Sequence, residues 1–228
     1  MPAPTEFVIV QHADRAAGSG DVGLTPLGRD QAAEVAGRLF GLPIAAVYTS
    51  PLRRARETAE PIAEMAGRRV VEDSRLRERM NWDGEESLGA FLAEWGRATT
   101  DRAYVPRWGE SSARVGERFN ALLEELTHRH RGELVILVSH GGATVDLLRT
   151  LYGDEYVRKA ADGIIDQGVP QCHLTHLRET DGLIEPVAIA SDCLQDMSGG
   201  RPGRPIPRPR SEIERDAQGD GQEEHRQR

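Results

Sequence analysis

Short apolar runs alternate along the chain with longer stretches in which apolar residues recur about every 3.6 positions. The apolar runs lie at 7–10, 45–50, 69–73 and 133–140, with weaker runs at 171–179 and 185–191. The longer stretches lie at 25–41, 51–67, 87–100, 111–130 and 141–153. Apolar, β-branched runs indicate buried strands, and the 3.6-residue spacing indicates amphipathic helices. The alternation predicts an α/β fold of three layers (α/β/α), with a mostly parallel central sheet that helices cover on both faces.

The predicted helices carry recognisable start signals. Thr25 precedes Pro26, and Ser50 precedes Pro51. A hydroxyl residue before a proline is the usual arrangement of an N-cap followed by the first helical residue. We therefore expect one helix to begin at Pro26 and another at Pro51.

The composition of the chain changes near residue 197. Residues 197–228 contain almost no apolar residues and are rich in proline, glycine and charges of both signs. Such a segment cannot bury enough surface to offset the entropy lost on ordering. The sequence predicts one folded domain over residues 1–196 and a disordered tail over residues 197–228.

Composition and charge exclude several classes of protein. The formal net charge of -8 argues against a nucleic-acid binder that neutralises phosphates. No apolar run approaches the ~20 residues that a membrane span needs, and the amino-terminal residues do not resemble a signal peptide. Cys172 and Cys193 have no metal-ligand spacing. We expect a cytoplasmic protein that needs no metal or cofactor, no nucleic acid and no membrane, and leave its oligomeric state open, a homodimer included.

Polar side chains that could take part in catalysis lie at the ends of four of the predicted strands or at the starts of the helices that follow. They are Gln11 and His12, then Arg54, then Glu78, and finally His140. Taken singly, each has an ordinary structural explanation, such as a surface ion pair for Glu78. The carboxyl ends of parallel strands, however, open into one crevice, where α/β proteins bind ligands. Their joint placement therefore predicts a single site.

The residue types in this set suit phosphoryl transfer through a histidine. A neutral imidazole can attack phosphorus and hold the phosphoryl group covalently. Arg54 offers a planar fork for an anion, His140 a second cation, and Gly141 begins a helix whose amides face an incoming phosphate. Glu78 can protonate the leaving alcohol and then activate water.

Five motifs, in order, resemble those of the histidine phosphatase superfamily, which has the phosphoglycerate mutase-like fold. The resemblance extends from Phe7 to about Ser191. The motifs are VIVQHA at the end of the first strand, LTPLGRDQA, SPLRRARETA, LRE and SHGG. Single members are weak, but the ordered series is specific.

The resemblance implies a role for each of these side chains. His12 matches the nucleophile, Arg54 the phosphate-clamping arginine, Glu78 the proton donor and His140 the second phosphate-binding histidine. The substrate-binding set that it implies is Gln11, Arg54, His140 and Gly141. No metal takes part.

One residue departs from the family pattern. The family has arginine immediately before the nucleophile, whereas this chain has Gln11, and Ala13 replaces the usual glycine. Glutamine keeps an N–H group but loses the charge and the bidentate fork. The loss should cost about tenfold to thirtyfold in rate or binding. Arg15 and Arg53 are the candidates to supply the missing charge.

These features favour a phosphomonoester hydrolase of a small phosphorylated metabolite. The segment between Glu78 and Ser111 is short, and a mutase would need more cover to keep water out. Four aromatic residues in or beside it are candidate pocket residues: Trp82, Trp95, Tyr104 and Trp108. Alternatives are a weakened or inactive phosphate-binding pseudo-phosphatase, which Gln11 favours, a phosphoglycerate mutase-type phosphotransferase, and the compact phosphohistidine-protein phosphatases, which lack an acid segment like that of Glu78.

Overall fold

The structure is a computed structural model that describes residues 3–192. The predicted tail at 197–228, the predicted domain boundary at residue 196 and Cys193 lie outside this range. Within residues 3–192, no helix is both long and apolar enough to cross a lipid bilayer.

A six-stranded sheet forms the centre of the fold, in the order β3-β2-β4-β1-β5-β6. The strands are β1 (Thr5–Gln11), β2 (Ile44–Thr49), β3 (Val70–Glu72), β4 (Leu134–Ser139), β5 (Leu174–Thr180) and β6 (Leu183–Ser191). The first four in spatial order are parallel, whereas β5 runs antiparallel to β1 and β6 antiparallel to β5. The predicted mostly parallel sheet is confirmed.

Seven helices surround the sheet in the described part of the chain. They are α1 (Pro26–Arg38), α2 (Arg53–Ala66), α3 (Leu88–Thr100), α4 (Ser112–Arg129), α5 (Gly141–Tyr152), α6 (Asp154–Ala160) and α7 (Ile164–Gln167). The first five match the predicted helices. The last two, and a 3-10 turn at Ser74–Leu76, are too short to give a periodic signal.

The apolar core lies on both faces of the sheet. Because side chains alternate along a strand, Val8 and Val10 of β1 pack with α1 and α2, whereas Phe7 and Ile9 pack with α4 and α5. All four side chains are at most 1% exposed. The three layers predicted from the sequence are therefore present.

The start of α1 is as predicted, but the start of α2 is not. Thr25 caps α1, because its Oγ1 accepts a hydrogen bond from Gly28 N at 2.9 Å. Helix α2 begins at Arg53 and not at Pro51. Its N-cap residue, Leu52, makes no side-chain cap bond, and Arg53 N donates instead to Oδ1 of Asp21 at 2.7 Å. Ser50 accepts only from Leu52 N, and its hydroxyl also contacts the imidazole of His140 at 2.8 Å. The predicted cap residue is thus part of the site.

Candidate active site

The carboxyl ends of the parallel strands open into a cavity of about 170 Å³. Strands β1, β2 and β4 end immediately before His12, Ser50 and His140. The cavity is lined by His12, Arg15, Gly18, Gly20, Arg54, Glu78, Met80, Asn81, Trp82, Phe91 and Trp95. Three of the predicted site residues, His12, Arg54 and Glu78, therefore share this cavity.

The two ring nitrogens of His12 have different partners. Nδ1 lies 2.8 Å from the carbonyl oxygen of Ala13, and Nε2 lies 3.2 Å from Nε of Arg54. A carbonyl only accepts and a guanidinium only donates, so the proton is on Nδ1 and the lone pair on Nε2. Burial first, and the charge of Arg54 second, lower the pKa of His12 to about 3. His12 is therefore neutral at physiological pH.

Arg54 is held from two sides near the start of α2. Its Nε donates to His12, and its Nη1 donates to Oδ1 of Asn81 at 3.0 Å. Asn81 is itself fixed, because its Nδ2 donates to the carbonyl of Gly20 at 2.9 Å. Arg54 is only 5% exposed. Burial lowers its pKa, an effect that the Glu78 carboxylate opposes, and the guanidinium remains charged.

His140 lies directly beside His12. The ring centroids are 5.2 Å apart and the planes make an angle of 63°. Nε2 of His140 contacts Oγ of Ser50, whereas Nδ1 is buried without a hydrogen-bond partner in the described part of the chain. Burial, followed by the charge of Arg54, lowers the pKa of His140 well below 6.5. The second cation expected here is therefore a neutral ring in this structure, one whose protonation a bound anion would favour.

The Glu78 carboxylate is held by two backbone amides. Oε1 accepts from Arg79 N at 2.8 Å, and Oε2 accepts from Gly142 N at 3.1 Å. The second amide belongs to the first turn of α5, where the helix dipole favours negative charge. The alternative explanation, a surface ion pair of Glu78 with neighbouring arginines, is wrong: no salt bridge joins Glu78 to an arginine within residues 3–192.

Both glycines at the start of α5 permit close contacts. A Cβ on Gly141 would lie 2.8 Å from the carbonyl oxygen of Val169. A Cβ on Gly142 would lie 2.7 Å from Oε1 of Glu78 and 2.8 Å from Cη2 of Trp95. Among the described residues, neither Gly141 nor His140 lines the cavity. Gly142 therefore lets Glu78 and the ring of Trp95 approach the helix, and Gly141 lets the backbone of Val169 approach it.

A buried ion pair, Arg79 with Asp146, lies next to Glu78 and contacts the ring of Trp95. Nε and Nη2 of Arg79 donate to the carboxylate of Asp146 at 2.9 and 3.1 Å, and both side chains are at most 1% exposed. Ser112 donates to the same carboxylate at 2.5 Å. The Arg79 guanidinium lies 4.7 Å from the ring centroid of Trp95. Burial raises the pKa of Asp146 to about 6, against the lowering effect of Arg79.

Gln11, the last residue of β1, is buried. Its side chain is 7% exposed, and its Oε1 is buried without a partner within residues 3–192. It is not among the residues that line the cavity. Of the two candidate replacements for the missing charge, Arg15 lines the cavity, whereas Arg53 pairs with Glu57 at 2.6 Å and does not.

Sequence reasoning missed several residues around this cavity. Asn81 and Ser50 contact site residues, and Met80 and Phe91 line the cavity. A single sequence offers no signal for Asn81, because its contact with Arg54 depends on how the chain folds back after β3. Of the four aromatic candidates from the sequence, Trp82 and Trp95 line the cavity, whereas Tyr104 and Trp108 do not.

The family assignment follows from comparison with known proteins. The model of the histidine phosphatase superfamily (branch 1) matches residues 5–189. This range includes every strand but the end of β6, and all of the cavity. The chain belongs to the histidine phosphatase superfamily. The resemblance stated from the five motifs is therefore confirmed.

The superfamily relatives include proteins named as mutases. The chain is 34% identical over 168 residues to phosphoglycerate mutase-like protein 4 of Arabidopsis thaliana, covering 64% of this chain and 69% of that protein. It is 37% identical over 143 residues to a probable phosphoglycerate mutase, GpmB, of Yersinia enterocolitica, covering 60% of this chain and 66% of that protein. The matches thus span about two thirds of the relatives' length.

A solved structure from this superfamily is named as a phosphatase. It is a mycobacterial glucosyl-3-phosphoglycerate phosphatase in complex with inorganic phosphate, with a TM-score of 0.61 and 29% identity. The match covers 75% of this chain and 88% of that one. Phosphatases and mutase-like proteins therefore both occur among the neighbours of this chain.

Proposed function

We propose that this protein is a phosphomonoester hydrolase that acts on a small phosphorylated metabolite through a phosphohistidine at His12. The observation that carries the proposal is the arrangement of the His12 ring. Its Nε2 lone pair points to Arg54, which can bind phosphoryl oxygens, while Nδ1–H is bonded to the carbonyl of Ala13. The resting ring is neutral, which is the state that a nucleophile needs.

The first half of the proposed reaction forms an N–P bond. Nε2 of His12 attacks phosphorus as the bond from phosphorus to the leaving oxygen breaks. Glu78, in its protonated form, gives its proton to that oxygen, and the alcohol departs. The positive charge that develops on the imidazole strengthens the hydrogen bond from Nδ1 to Ala13 O, because charged donors form stronger bonds.

The second half of the reaction restores the enzyme. A water molecule attacks phosphorus, Glu78 takes one of its protons, and the N–P bond breaks to release inorganic phosphate. Arg54 and His140 bind the phosphoryl oxygens in both halves, with Gln11 contributing at most a neutral N–H group. Glu78 thus ends the cycle protonated, as it began.

The leaving group is proposed to contact apolar side chains. Four cavity residues, Met80, Trp82, Phe91 and Trp95, offer carbon surface beside the polar set. Helix α3, which carries the last two, buries only Ala98 and Thr99. A loosely packed cover of this kind admits water, which supports hydrolysis over retention of the phosphoryl group by a mutase.

Hydrolysis of p-nitrophenyl phosphate by the full chain tests the proposal. We expect release of p-nitrophenol by the wild type, loss of release in His12→Ala, and retention in the control His128→Ala, an exposed histidine on α4. Quenching with an alkaline denaturant during turnover should trap one phosphoryl group on a peptide that contains His12, because the N–P bond is stable in base and labile in acid. Activity that survives in His12→Ala would refute the phosphohistidine route.

The alternatives predict different products. Phosphate binding without hydrolysis would identify the pseudo-phosphatase that Gln11 favours. With 3-phosphoglycerate as substrate, a mutase would form 2-phosphoglycerate faster than it releases inorganic phosphate. The hydrolase proposal requires that phosphate release dominate.

A further inference from the structure

Residue 11 leaves the site short of one positive charge. The proposed function, on which this inference rests, places a phosphoryl dianion beside His12. Gln11 is neutral, lies outside the cavity lining and leaves its Oε1 unpartnered within residues 3–192. His140 is neutral in this structure as well. Arg54 alone among the predicted residues brings a permanent positive charge.

Arg15 lies in the same cavity and is fixed there by its backbone. It pairs with Leu24 in an isolated antiparallel bridge, which closes the turn at 16–23. The hydrogen bonds on either side of it, Thr25 N to Asp14 O at 3.1 Å and Ala16 N to Gly23 O at 2.9 Å, hold the base of this turn. The position of the Arg15 backbone is therefore as well defined as that of a strand residue.

The guanidinium of Arg15 is not neutralised by an acid. Among the described residues, only Nη1 has partners, the carbonyl oxygens of Ala16 at 3.3 Å and Gly18 at 3.4 Å, which are long hydrogen bonds. Within residues 3–192 no carboxylate forms a salt bridge with it, whereas Arg53 is paired with Glu57. Nε and Nη2 of Arg15 therefore remain available to bind an anion.

The charge of Arg15 acts on the catalytic pair. It contributes to lowering the pKa of both His12 and Arg54. The positive charge of Arg15 disfavours a proton on His12 and on Arg54. The same electrostatic field favours an anion bound beside these two side chains. Half-buried and within the cavity wall, Arg15 combines a fixed base with unused donors.

We propose that Arg15 binds the phosphoryl group of the substrate and supplies the positive charge that arginine supplies at position 11 in other members of the family. The charge thus lies four residues further along the chain, on the loop after β1 and not on its last residue. Arg15 touches the phosphoryl oxygens directly through Nε or Nη2. Two arginines, Arg15 and Arg54, then share the dianion.

Binding of inorganic phosphate and of orthovanadate by the full chain tests this assignment. Arg15→Gln should weaken both by about tenfold to thirtyfold, the difference between a charged and a neutral hydrogen bond. Arg15→Lys, which keeps the charge but not the fork, should lose about fivefold or less. The control Arg53→Gln removes an equal charge from an exposed pair and should change binding by about twofold or less.

Two results would overturn the assignment. One is phosphate binding by Arg15→Gln within about twofold of the wild type. The other is an equal loss in Arg15→Gln and Arg15→Lys, because a contribution of charge must survive in lysine. Thermal melting of each variant shows whether it is folded.

These binding experiments can fail or succeed independently of the tests of the hydrolase proposal. Phosphate binding that depends on Arg15 in a chain without turnover would support Arg15 and refute hydrolysis. Turnover that depends on His12 but not on Arg15 would refute only the assignment of Arg15.

Discussion

A single methyl group added at the start of α5 should lower kcat strongly while lowering the free energy of unfolding only slightly. In Gly142→Ala the new Cβ would lie 2.7 Å from Oε1 of Glu78 and 2.8 Å from Cη2 of Trp95. These distances are at least about 0.7 Å shorter than ordinary van der Waals contact between carbon atoms. The ring of Trp95 lies 4.7 Å from the guanidinium of the buried Arg79, and moving the ring would break this contact. We therefore expect the Glu78 carboxylate to shift.

The size of the effect follows from that displacement. Misplacement of a catalytic group by about 1 Å costs up to ~100-fold in rate, so we expect kcat to fall by about tenfold to a hundredfold. Overpacking costs about 1–3 kcal/mol, and the better helix propensity of alanine returns about 1 kcal/mol. The free energy of unfolding should therefore fall by at most about 2 kcal/mol, and the variant should remain folded.

Two substrates that differ in their leaving group reveal whether Glu78 is the group affected. p-Nitrophenolate leaves readily, whereas phenolate depends more on a proton donor. We expect the loss of kcat in Gly142→Ala to be larger with phenyl phosphate than with p-nitrophenyl phosphate. The control Gly96→Ala, on α3, adds a methyl group with nothing within 4 Å and should leave both rates unchanged. Equal losses with the two substrates, or a wild-type rate with phenyl phosphate, would refute this reasoning.

Three other changes test separate parts of the structure. Asp146→Asn leaves the Arg79 guanidinium buried without its counter-ion, so the free energy of unfolding in urea should fall by about 3–5 kcal/mol, and a loss below about 1 kcal/mol would contradict the buried pair. Burial and the charge of Arg54 lower the pKa of His12 from its ordinary value of 6.5 to about 3 in the folded protein, so the unfolded chain binds the proton first as pH falls and stability declines below about pH 6.5. His12→Asn should therefore lose less stability than the wild type between neutral pH and about pH 4 in urea titrations; equal losses would show that His12 is not the group responsible. Phe91→Ala should raise KM for phenyl phosphate while leaving inhibition by orthovanadate unchanged, and a parallel rise in both would place Phe91 with the phosphate site.

The sequence was sufficient to predict the fold and the convergence of the site. Parallel strands are buried on both faces, so their apolar runs are continuous and easy to recognise. Their carboxyl ends must meet at one edge of the sheet. The proximity of His12, Arg54 and Glu78 could therefore be predicted from their positions relative to the apolar runs.

What the sequence did not predict depends on tertiary contacts. Asn81 touches Arg54 only because the segment after β3 folds back over the cavity. Arg79 follows Arg75 and Arg77 at two-residue spacing, yet it is 2% exposed because Asp146, 67 residues away, neutralises it. The neutral state of His140 is likewise a result of burial, which residue type does not reveal.

The hydrogen bond from Arg54 to Nε2 of His12 occupies the lone pair that the proposed reaction uses. An uncharged electrophile offers Arg54 nothing in exchange, so the nitrogen stays shielded from it. A phosphoryl dianion draws the guanidinium to its own oxygens and thereby uncovers the ring. The same arginine thus makes the imidazole selective toward anions before any bond forms, and reagents such as diethyl pyrocarbonate should modify His12 slowly in the resting protein.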